Sequence, residues 1–169
     1  MSDQVELTNP VELSVGGMSG HVLRRGIHLA MSLLPFLYFE FGEDVAEAVS
    51  LTLEQVVSSV ILIAVFGEAL RLKMGWTIVG QRSYEAKQVS ALAWGALGVG
   101  MVFLLAPEPE YAYPLILSLS LGDPLLGELR RKGVSTRTVI AAGTIGIALI
   151  WVACAIWVAT PWLLIPLMA

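Results

Sequence analysis

The sequence predicts an all-α fold, a polytopic integral membrane helical bundle of about five transmembrane helices, N-terminus cytoplasmic and C-terminus outside. Three observations predict it. Hydrophobic residues make up 56% of the chain and charged residues 14%, with a mean hydropathy of +0.76; soluble domains hold roughly 45–50% and about 25%. A soluble domain of 169 residues leaves too much of its chain facing water to hide that apolar surface. Apolar runs of about 17–25 residues recur along the chain, and the basic residues all fall on one side of them.

The same composition excludes a disordered or nucleic-acid-binding chain. One cysteine, Cys154, rules out an internal disulfide framework and a CxxC metal site, and two histidines, His21 and His28, are too few for a His-rich one.

Residues 1–21 read as a polar lead-in containing Gly16, Gly17 and Gly20, and residues 22–169 as a single transmembrane domain. The first span, 22–41, follows about twenty mostly polar residues and precedes no small-residue cleavage site, so it reads as a span rather than a signal peptide. The second span is 51–70. The third, 89–106, carries a ridge of small residues, Ser90, Ala91, Gly95 and Gly98, that lets another helix approach closely. The fourth, 111–127, is the shortest, and Gly122, Asp123 and Pro124 predict a broken helix near its end. The fifth is 138–159. Residues 160–169 form an apolar stub too short to cross, with Trp157 and Trp162 at the headgroups.

Charge placement sets the orientation. Arg24 and Arg25 open the first span; Arg71, Lys73, Arg82 and Lys87 lie between the second and third; Arg130, Arg131, Lys132 and Arg137 lie between the fourth and fifth. Together they are all ten basic residues. The opposite loops carry Glu43, Asp44, Glu47, Glu108 and Glu110 and no base. Basic loops stay in the cytoplasm.

Several ionisable residues lie at the cytoplasmic ends of the spans, where insertion alone does not require them. Arg24 and His28 stand at i, i+4 and Arg25 and His28 at i, i+3, which places imidazole and guanidinium on one face. Spacing alone favours snorkelling arginines and a histidine bonded to a neighbouring helix, with a phosphate grip as the functional alternative. Glu68 and Arg71, at i, i+3, are either an end-of-helix pair or an interior carboxylate that holds a metal or orients a base. Glu85, between Arg82 and Lys87, favours a helix start through the macrodipole, with Ser83 as its cap. Asp123 is the most informative: a carboxylate deep in LILSLSLGDPLLGEL is tolerated only where it is buried or lines a wet cavity. Its alternatives are a capping aspartate at a kink and a ligand for Mg²⁺, which accepts one or two carboxylates with phosphate oxygens and water. Neither a P-loop nor a Gly-x-Gly-x-x-Gly motif is present to explain nucleotide binding. A carboxylate beside many cations at one membrane face suits phosphoryl or nucleotidyl transfer to a lipid.

Four strings resemble, in order, the polyprenol (dolichol) kinase and CTP-dependent diacylglycerol kinase family, which is related to phosphatidate cytidylyltransferases. RRGIHLAMSLLPFLYFEFG is similar to that family's opening Arg-Lys-x-x-His helix; GEALRL, RSYEAKQVSALAWGALG and LSLGDP follow, so the resemblance covers about 23–132. It implies a membrane enzyme that moves a phosphoryl group from CTP to a lipid alcohol with a divalent cation. It also implies phosphate-facing Arg24, Arg25 and His28, a middle motif of Glu68, Arg71 and Glu85, and an essential Asp123. The full expectation is Mg²⁺ at Asp123 and Glu85, with Arg24, Arg25, Arg71, Arg82, Lys87, Arg130, Arg131 and Arg137 on the nucleotide phosphates. Asp123, Glu68 or His28 would orient the lipid hydroxyl. Two departures stand out. Arg130 occupies the position of a family glycine seven residues past the aspartate, and RTVIAAG lacks the family's Lys-Ser/Thr-x-Glu-Gly glutamate. Such a chain reads as a reduced member, completed as a homodimer or with its activity lost or altered, and the rival functions are CDP-lipid synthesis and a non-catalytic role as a lipid-binding protein or a subunit of a larger complex.

Overall fold

A computed structural model describes residues 14–168, and the rest of the lead-in lies outside it. The described residues form helices and turns, with no strand beyond a single bridge between Ser14 and Arg82. Helix α1 spans Gly17–Met31 and α2 spans Leu34–Ala48. Helix α1 therefore begins inside the segment read as a lead-in. The 22–41 run is also not one helix. Pro35 has no N–H to donate to the Met31 carbonyl, and the chain tightens there through Ser32 N–H to Leu29 O at 3.1 Å and Leu33 N–H to Ala30 O at 3.0 Å.

Helix α3, Leu53–Met74, starts with a capping box in which the Thr52 hydroxyl accepts from Gln55 N–H and the Gln55 side chain accepts from Thr52 N–H. It ends at Gly75, whose φ of +67° suits a residue without a Cβ. Ser83 opens only a 3₁₀ turn, Ser83–Lys87, and the cap of α4, Ala91–Leu105, is Ser90. Helix α5 runs Pro109–Arg131 and α6 runs Thr136–Trp157, capped by Ser135. The stub holds a 3₁₀ turn, Trp162–Leu164, and α7, Ile165–Met168.

The predicted break at Gly122–Asp123–Pro124 does not occur: α5 is continuous through both Pro114 and Pro124. One missing hydrogen bond and a ring clash cost about 3 kcal/mol. Packing on both sides offsets this: Ala112, Tyr113, Ile116 and Ser120 are buried before the proline, while Leu125 and Leu126 lie against Gly146 and Gly143 of α6 after it.

The core is Met31, Val57, Val99, Phe103, Ala112 and Ile116, with Tyr38 stacked on Phe103 at 4.1 Å. Of the predicted ridge, Gly95 meets Met31 while Gly98 faces open space, and Gly100 provides the close approach of α4 to Ile61 on α3. Phe36, Tyr113 and Trp157 cluster at the end away from the arginines. Two helices, α3 and α6, are long and apolar enough to cross a membrane.

Candidate functional site

Helix α1, the C-terminal end of α3, the C-terminal half of α5, the 75–90 loop and the start of α4 meet at one end of the molecule, and the polar side chains there sort into three groups.

In the first, Arg71 is 8% exposed and uses all five of its N–H groups. Nε and Nη2 grip the two Glu68 oxygens at 2.8 and 2.7 Å; Nη1 also reaches the carbonyls of Trp76 and Glu85, both at 2.7 Å, and Nη2 that of Gln88 at 2.8 Å. Glu68 in turn accepts from Ser90 N–H at 2.6 Å and the Ser90 hydroxyl at 3.2 Å. This group locks the loop to α3 and α4 and engages every Arg71 donor and both Glu68 oxygens within the fold.

In the second, the Glu85 carboxylate is buried. Its Oε1 accepts from Arg24 Nη1 at 2.7 Å and Arg82 N–H at 3.1 Å, and its Oε2 from Ala91 N–H at 3.1 Å, at the positive end of the α4 dipole. Arg24, Ile27, His28, Gly80, Gln81 and Glu85 line a cleft of about 30 Å³, room for a water or a small ion.

The third is a polar ladder along α1 and α5. His21 lies 3.9 Å from Glu128, Arg25 lies 3.5 Å from Glu128 and donates to the Pro124 carbonyl at 2.5 Å, and His28 Nδ1 lies 3.6 Å from Asp123 Oδ2. Glu128 is also paired with Arg131, whose hydrogen bond holds the carboxyl below its usual range. Burial, then Arg25, pushes the His21 imidazole down. At 3.6 Å the His28–Asp123 pair is too long for a hydrogen bond, so His28 Nδ1 is buried without a partner while the Asp123 side chain is 62% exposed.

The fold thus brings His28 and Asp123 together, with Arg24 and Arg25 on the same helix, but divides the expected cation cluster. Arg24, Arg25, Arg71 and Arg131 each face a carboxylate. Arg82 donates to the Tyr84 hydroxyl at 2.7 Å and, with Lys87, Arg130 and Arg137, has no carboxylate partner among the described residues. Among the described residues no three His, Cys, Asp or Glu side chains converge as a ready-made metal cluster. Asp123, with free lone pairs open to solvent, fits a single ligand to a largely hydrated Mg²⁺; Glu85 is held by Arg24 and two amides. Sequence reasoning missed Glu128, Gly127 and His21. Glu128 had a signal, its i, i+3 spacing to Arg131; Gly127 had none.

Comparison with protein-family models, curated proteins and solved structures returns no match.

Proposed function

We propose that this chain is an integral membrane protein that crosses the bilayer five times, basic end in the cytoplasm, and that it phosphorylates a membrane lipid alcohol of the polyprenol type from CTP. The membrane part is supported by α3, where only 6% of the most apolar window is covered by the rest of the chain. Leu62, Ile63 and Phe66 on α3 and Ile156 on α6 are between 68% and 75% exposed, an arrangement that is stable when the surrounding medium is hydrocarbon. The loop charges support the orientation, since all ten basic residues fall within 24–25, 71–87 and 130–137 and the opposite loops hold none.

The single observation that carries the reaction is the His28–Asp123 pair, a buried unpartnered imidazole nitrogen 3.6 Å from an open carboxylate. A divalent cation supplies neutralisation of the polyphosphate charge, and Asp123 would hold it. Arg82, Lys87, Arg130 and Arg137, free of carboxylates, are the residues left to attract CTP. The lipid hydroxyl gives its proton to Asp123 or His28, its oxygen bonds to the γ-phosphorus, the bond to the β-phosphate oxygen breaks, and CDP departs. The hydrocarbon tail has a bed in a groove of about 270 Å³ between α3 and α4, lined by Ile61, Val65, Leu72, Trp94 and Leu97.

Purified protein in nanodiscs, given CTP labelled on the γ-phosphate, Mg²⁺ and a panel of polyprenols, is expected to yield labelled lipid and CDP. CDP-lipid with pyrophosphate would assign cytidylyl transfer instead. No transfer to any lipid would leave a non-catalytic lipid-binding protein, the reading favoured by the neutralisation of Arg24, Arg25, Arg71 and Arg131 within the fold.

A further inference from the structure

Arg25 and Gly127 meet where α1 and α5 come closest to the candidate site. A Cβ built on Gly127 would lie 2.7 Å from Arg25 Nη2, 3.0 Å from Nη1 and 3.2 Å from Cζ. The guanidinium therefore rests flat on the α5 backbone in space that any other residue would fill. Seated there, Nη1 reaches the Pro124 carbonyl, 99 positions away in sequence, at 2.5 Å. Among the described residues it is the one hydrogen bond from α1 to α5; the other polar contacts across this seam, His21–Glu128, Arg25–Glu128 and His28–Asp123, stand at 3.9, 3.5 and 3.6 Å. His28 is one turn beyond Arg25 on α1, and Asp123 adjoins Pro124 and precedes Gly127 by one turn on α5.

We infer that Gly127 is a seat for the Arg25 guanidinium, and that seated Arg25 is a positioning residue that sets the spacing of His28 and Asp123. A side chain at position 127 displaces the guanidinium, since the far end of a long side chain moves more easily than two helix backbones. Moving it surrenders the Pro124 carbonyl, and the imidazole and carboxylate lose their common anchor. The catalytic weight of that spacing rests on the transfer reaction proposed above; the seat itself does not.

A double-mutant cycle tests the seat by thermal unfolding of the full chain in detergent micelles. Gly127→Ala and Arg25→Ala are each expected to lower Tm by about 3–10 °C, the loss of one charge-assisted hydrogen bond. The double variant should be no less stable than Arg25→Ala alone, because the added methyl then meets nothing. If Gly127→Ala fails to fold, the double variant should still fold. Imidazole carbon resonances supply a second readout that packing alone would not move. Asp123→Asn should shift the His28 signal in the parent protein and shift it less than half as far in the Gly127→Ala background. Additive losses of Tm, a double variant that fails to fold while Arg25→Ala folds, or an undiminished His28 response would overturn the inference. Absence of transfer from the parent protein with the cycle intact would instead fault the reaction and leave the seat standing.

Discussion

Replacing Arg71 with methionine is expected to destabilise the protein by about 3–5 kcal/mol, the cost of breaking a buried pair by removing one partner. The methionine keeps much of the packing volume but provides none of the five donors. Glu68 would keep only Ser90 as a partner, and the carbonyls of Trp76, Glu85 and Gln88 would lose theirs together. Lysine should recover little, because one ammonium cannot reproduce the fork that reaches a carboxylate and three carbonyls. At about 2–4 °C per kcal/mol for a chain of this size, the loss reads as a fall in Tm of about 6–20 °C. A fall under about 2 °C would mean that the loop is ordered by something other than this lock.

Asp123→Asn should show the opposite pattern, an undisturbed fold with failed chemistry. The side chain is mostly exposed and its ionisable neighbour His28 stands 3.6 Å away, so the stability change should stay within about ±0.5 kcal/mol. Asparagine keeps the shape but neither binds a cation as a carboxylate does nor accepts the hydroxyl proton. Transfer to the lipid alcohol should fall by about 10²–10⁴-fold, the scale of a positioned acid–base group. Glu68→Gln offers the contrast: it should lower Tm through the Arg71 lock, with transfer declining only as far as folded protein is lost. An Asp123→Asn protein that retains full turnover would remove this residue, and the His28 pair with it, from the reaction.

Much of the architecture was legible in local sequence. Helix α3 could be read from its apolar run, 51–70, because hydropathy over a span's length is a property of neighbouring residues, whereas its Thr52 cap and Gly75 stop came from the structure. The gathering of basic side chains at one end followed from the alternation of charged loops. The course of α5 through Pro124 was not legible, since local rules price the proline and say nothing of the α6 leucine–glycine contacts that hold the helix together. Nor was the division of labour among the arginines: Arg24 and Arg25 are adjacent and chemically identical, yet one meets Glu85 in the loop and the other a proline carbonyl on α5.

The amino-acid sequence by itself determined an all-helical chain rich in apolar helices, with cations and a misplaced aspartate at one end, because hydropathy and helical spacing act within a few turns. Only the tertiary structure decided which cations are neutralised, which carboxylate stays open and which glycine admits a guanidinium. Those outcomes depend on groups that meet over sequence separations of 99 positions and more, where a partner's identity is set by the packing of whole helices and leaves no spacing pattern in the chain.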